Sequence, residues 1–261
     1  MMQYQRRLIF AGLAIFLVTL LTNIPSDRAL QLFRDKLPAG ISWHQVSGSA
    51  FHPVFYNLLV RTPAGREVLI ESADLNVAIL PLLIGRLKMQ FILRLNDGEF
   101  SGTAILQQQS WQLPEIEGNV SLLMLAEILP ELKLTGPRGR VIFSGNALAG
   151  EYRNLSVTGE LKATVEKLQL DMLNTQRPLG DYSIQLQSGD NKILQGRIET
   201  VSTDAQLSVQ GDLSLAPESK SIQFEGQAWA SSDAPASVQS LLTLLGPVEQ
   251  GRARIRWQTR L

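Results

Sequence analysis

The chain has 261 residues, 24 Lys plus Arg balanced by 24 Asp plus Glu, 44% hydrophobic residues and no cysteine. Without cysteine there are neither disulfides nor thiolate metal sites, so the fold must rest on packing and backbone hydrogen bonds. Zero net charge supplies no global field toward nucleic acid, and the apolar content is that of a chain with a core, not of a disordered one.

Residues 1–7 form a short N-terminus containing Arg6-Arg7, and residues 8–24 form an uncharged, mostly apolar run. Its length sits at the short edge of the roughly 17 to 25 residues that cross a bilayer as a helix. Two cations ahead of the run favour a cytoplasmic N-terminus and send the rest of the chain to the far side. A cleaved secretory peptide is the competing reading, since its apolar region also follows a positive stretch. The exit Leu21-Thr22-Asn23-Ile24-Pro25 lacks the small-x-small pair a peptidase needs, which favours a retained transmembrane anchor over residues 8–24.

Residues 25–40 read as a juxtamembrane helix and linker. Ser26 or Asp27 can cap the helix, and Leu30, Phe33 and Leu37 recur at helical spacing. From Ile41 the period changes to two. Leu87, Met89, Phe91, Leu93 and Leu95 alternate with polar residues, as do Leu207, Val209, Leu213 and Leu215. Further strands are predicted at residues 54–61, 67–80, 99–106, 140–144, 154–161, 164–172, 182–187, 193–201, 221–230 and 252–258, separated by turns such as Asn96-Asp97-Gly98. One-faced alternation predicts antiparallel pairing, because parallel strands covered on both faces read as continuous apolar runs.

Two leucine-rich segments, residues 121–132 and 236–245, interrupt the β pattern as helices. Their surroundings repeat: Glu117-Gly118, a helix, then Gly136-Pro137 and Gly139-Arg140 is echoed by Glu225-Gly226, a helix, then Gly246-Pro247 and Gly251-Arg252. The expected fold is therefore mainly β: a transmembrane helix followed by a curved antiparallel sheet of two degenerate halves, residues 41–148 and 149–261, each with one short helix. Alternation assigns faces but not closure, so groove, flat sheet and sandwich all remain compatible with it.

The two histidines, His44 and His52, have no carboxylate close in sequence to orient them and read as edge or loop residues. Neither a nucleophile elbow nor a phosphate-binding glycine loop is present. Among Asp74, Glu99, Glu115 and Glu117 nothing in the spacing brings two carboxylates together. The chain is thus expected to be no enzyme, with no cofactor and no metal. Arg252, Arg254 and Arg256 recur at period two, so their guanidinium groups share one strand face opposite Ala253, Ile255 and Trp257. They are the candidate contact for an acidic partner patch or an anionic lipid head group, against the plainer reading of a solvated face paired to acids such as Glu225. Trp111 and Trp229 lie in strand segments and read chiefly as core residues.

The order of elements resembles a known family, the N component of the type II secretion system of Gram-negative bacteria. The resemblance rests on the single anchor, the Trp43 to Gly48 segment, Pro178-Leu179-Gly180-Asp181-Tyr182 opening a late hairpin, and Leu244-Leu245-Gly246-Pro247 with Gly251-Arg252 before the last strand. Two positions depart from the family pattern: Ser49-Ala50-Phe51 stands where a tryptophan-glycine pair is usual, and residues 168–173 carry no tryptophan. Membership implies a non-enzymatic accessory part of a protein-export machine. It implies a single pass through the inner membrane, a periplasmic β body, and other secretion subunits as partners. An alternative from another class is a membrane-anchored β-groove protein handling phospholipid in the periplasm.

Overall fold

The computed structural model describes residues 24–33, 40–61, 65–82, 84–128, 135–152, 157–189, 193–216 and 221–260. These residues are mainly β. The expected anchor, apart from Ile24, lies outside them, and no helix among the described residues is long and apolar enough to cross a membrane. The chain divides into two compact units, Met1–Asn96 and Asp97–Leu261.

In the first unit, helix α1 (Ser26–Phe33) precedes β1 (Ile41–Ser49), β2 (His52–Arg61), β3 (Glu67–Ala78), the single turn α2 (Ile79–Leu82) and β4 (Leu87–Leu95). The four strands pair antiparallel in sequence order. Phe55, Ile70 and Ala73 form the buried centre, with Trp43 packed edge-on to Phe55 at 5.5 Å between ring centroids and Leu30 of α1 laid against the cluster. The Ser26 hydroxyl donates to the Ser47 carbonyl at 2.9 Å, which ties the start of α1 to β1.

The second unit holds β5 (Gly98–Leu106), β6 (Ser110–Ser121), α3 (Leu122–Ile128), β7 (Pro137–Glu151) and β8 (Val157–Leu170). A 3-10 turn (Asp171–Leu173) leads into β9 (Gly180–Ser188), β10 (Leu194–Thr200), β11 (Leu207–Ala216), β12 (Ser221–Ala230), α4 (Ala236–Leu245), β13 (Val248–Glu249) and β14 (Arg252–Arg260). Spatial order again follows sequence order, except that β14 lies between β12 and β13. The buried core sits at the end of the sheet where α4 folds back: Leu173, Leu179, Leu207, Ala228, Val238, Leu242, Ala253 and Ile255 pack there. Helix α3 starts where expected, because the Ser121 hydroxyl accepts the Met124 N–H at 3.2 Å and so caps it.

Strand β7 (Pro137–Glu151) is far longer than the predicted 140–144, β13 is not among the predicted strands, and further assignments differ from the sequence reading. The segments predicted at 154–161 and 164–172 are joined in β8, since Lys162-Ala163 offers no turn chemistry; Lys167, at φ 51°, bends the strand instead of ending it. Strand β6 contains Trp111, which reads as a strand residue, but the sequence reading gives that strand no bounds, and Pro114 lies in its middle. That proline is tolerated where the ladders are irregular: the β5 register shifts between Thr103 and Ile105, the β7 partner register shifts on its other side between Asn146 and Ala149, and Ala147 has φ 51°.

Candidate functional site: an arginine-bearing edge on the polar face

The register of the second unit sorts its residues into two faces. On one, Gly118 lies opposite both Phe100 and Phe143, and the row continues through Ala163, Ile184, Ile198, Gly211, Gly226 and Ile255. A parallel row runs from Ile116 through Gly145, Leu161, Leu186, Gly196, Leu213 and Phe224 to Trp257. Period-two alternation, carried from strand to strand by register, makes this a continuous apolar face. Many of its large residues, including Phe100, Phe143, Ile184, Leu213 and Phe224, are only half-buried, and Trp257 is 50% exposed.

The other face carries Glu117, Ser144, Lys162, Gln185, Arg197, Asp212, Glu225 and Arg256 in one row. It carries charges of both signs, with Asp212 and Glu225 side by side, and the row ends on β14. There the three candidate arginines lie opposite Trp229, Gln227 and Glu225, respectively. All three share the polar face, as their spacing requires, and all are exposed. Arg256 Nη2 lies 2.7 Å from Glu225 Oε1, and Arg252 Nη1 donates to Gln227 Oε1 at 3.4 Å. The Arg252 guanidinium also lies over the Trp229 ring, 5.0 Å from its centroid. The Arg254 side chain has no partner among the described residues, while its N–H donates to the Pro247 carbonyl at 3.0 Å.

Strand β13 covers only Arg252 and Ala253, so past Arg254 no described strand pairs with the outer edge of β14. Next to that edge an open cleft of about 580 Å³ is lined by Asp212, Glu225, Arg256, Trp257 and Gln258, among others. The arrangement presents fixed cations, a half-exposed indole and free backbone hydrogen-bonding groups. It can hold an anionic or extended partner.

Trp229 is not a core residue. In β12 the even positions Ile222, Phe224, Gly226 and Ala228 take the apolar face, and Trp229 is in phase with Gln223, Glu225 and Gln227. That phase is readable in the sequence, from the alternation of Ile222, Phe224, Gly226 and Ala228 with polar residues. His52 has a partner that spacing did not show: its Nε2 is 3.6 Å from Asp74 Oδ1, both on the surface. His44 stands next to Trp43 in β1. Of the four acids considered, Glu99 and Glu117 line one shallow cleft of about 350 Å³ together with Lys162. Among the described residues no group of three or more His, Asp or Glu side chains could hold a metal ion.

No curated protein sequence and no solved structure matches this chain. The family model for type II secretion system (T2SS), protein N, matches residues 39–256. That match starts just ahead of β1 and ends within β14, spanning both compact units, and the chain accordingly belongs to the type II secretion system protein N family.

Proposed function

We propose that the protein is a non-enzymatic accessory component of the type II secretion system that supports export of folded proteins from the periplasm across the outer membrane. Residues 8–24 hold it in the inner membrane, and its β body works in the periplasm. The observation that carries this reading, beyond the family itself, is the β14 edge. Among the described residues no strand pairs with its outer backbone past Arg254, and Arg252, Arg254 and Arg256 stand on the exposed polar face. Edge addition and charge complementarity are how such a strand recruits another subunit. Deleting the gene should leave normally secreted enzymes in the periplasm, and the intact gene should restore secretion; secretion unchanged by the deletion would end the proposal.

A second reading, phospholipid handling, is favoured by the half-exposed apolar rows that cross the second unit. Acyl chains are one occupant suited to such a face. Native mass spectrometry of the full-length protein released from detergent separates the two: stoichiometric phospholipid retained on the chain, with secretion intact in the deletion strain, would favour lipid handling.

A further inference from the structure

The turn between β3 and β4 is folded but turned inside out in its polarity. Helix α2 buries none of its residues; Leu80 is 78% exposed, Ile84 69% and Leu82 38%. These side chains are held on a hydrogen-bonded tip: the Gly85 N–H donates to the Leu82 carbonyl at 3.0 Å and the Arg86 N–H to the Pro81 carbonyl at 3.0 Å. A soluble tip would place polar residues there, so an apolar group of this size calls for an occupant.

The chain itself indicates which. The Ala50 N–H donates to the Ile24 carbonyl at 2.8 Å, Pro25 bridges to Ser49, and the Val77 N–H donates to the Phe51 carbonyl at 2.8 Å. The end of the apolar run at residues 8–24 therefore meets the β1–β2 turn, which in turn touches the end of β3 from which the tip springs. Residue 24 and the tip leave the unit at the same end. The charge pattern agrees: from Leu75 to Asn96 there is no acidic residue, and exposed Arg86 and Lys88 follow the tip directly. Apolar side chains flanked by cations suit the interface of a bilayer containing anionic lipid.

We propose that Ile79, Leu80, Leu82 and Ile84 form a second membrane contact, seated in the surface of the bilayer that holds residues 8–24, with Arg86 and Lys88 at the head groups. This rests on the reading of residues 8–24 as membrane-embedded. Together the two attachments fix the orientation of the first unit, where one tether would let it swing.

The absence of cysteine makes the test direct. Single variants Leu80→Cys, Ile84→Cys and, as the control on the exposed part of β3, Leu69→Cys are labelled with an environment-sensitive fluorophore in the full-length chain. They are then reconstituted in phosphatidylcholine–phosphatidylglycerol vesicles, some containing lipids with nitroxide-bearing acyl chains. The labels at 80 and 84 should shift to the blue and lose emission to the nitroxides, while the label at 69 keeps its aqueous spectrum. Labels at 80 and 84 that behave like the one at 69 overturn the proposal. Alkaline carbonate extraction of the same vesicles examines residues 8–24 separately. A retained chain with aqueous labels sinks the tip alone, whereas a released chain with quenched labels sinks the anchor and keeps the tip.

Discussion

Single residues decide how neighbouring connections are closed. Tyr182 on β9 donates its hydroxyl to the Leu207 carbonyl at 2.7 Å while only 5% exposed. Burial, with a smaller contribution from the Asp181 charge, pushes its phenol well above the ordinary tyrosine range. Tyr182→Phe should lower stability at neutral pH by about 1 kcal/mol, the size of a lost hydrogen bond that leaves a buried carbonyl unpaired. The folded phenol binds its proton more tightly than the unfolded one, so the wild-type advantage is full below about pH 10 and falls as the unfolded tyrosine ionises above it. Denaturant titrations of both proteins at neutral and alkaline pH should show the gap narrowing.

Gly118 acts by what it lacks. Phe100 on β5 and Phe143 on β7 reach over it to bring their ring centroids within 5.3 Å, and a Cβ there would lie 2.9 Å from Phe100 Cδ1 and 2.7 Å from the Glu99 carbonyl oxygen. Gly118→Val should cost about 1–3 kcal/mol by overpacking, read as a lower melting midpoint. Neither this three-residue contact nor the His52–Asp74 proximity was legible in the sequence, because both join residues of different strands through register. The shared face of Arg252, Arg254 and Arg256 was legible, since it depends only on spacing within one strand.

At the scale of elements, what could be read was whatever a local period specifies. Helix α4 matches its predicted bounds, residues 236–245, because leucines recur at its spacing and Gly246 ends it. The bounds of β6 are not readable, because Pro114 counts against a strand when its neighbours' bulges are invisible. The arginine edge gives the element-scale prediction. Arg254→Glu combined with Arg256→Glu should leave the melting midpoint nearly unchanged, since exposed pairs such as Arg256–Glu225 contribute at most about 1 kcal/mol. The same variant should lose complementation in a secretion assay of the deletion strain. Complementation equal to wild type would remove β14 from the proposed interface.

For the whole molecule, one-faced alternation told the sheet class and the antiparallel pairing, and the family match agrees with the resemblance read from element order. The chain passes from one compact unit to the next between Asn96 and Asp97, a boundary that no local period in the sequence marks. The proposed duplication into residues 41–148 and 149–261 concerns descent. One arrangement recurs among the described residues, a helix between antiparallel neighbours, in β6–α3–β7 and in β12–α4–β14, and the seam at 148/149 falls within β7. Protection against hydrogen exchange should follow position in the sheet. Amides of β7 and β8, paired on both sides, should exchange slowly, and the outer amides of β14 past Arg254 should exchange first.

Neighbour-to-neighbour strand order also bears on how such a body is made. Within each unit almost every strand finds its partner in the segment synthesised just before it, so little chain has to be looped out before a contact forms. A polypeptide that emerges with its earlier strands first can then lay down its sheet one hairpin at a time. The exception is β12, whose edge waits through α4 and β13 until β14 enters between β12 and β13.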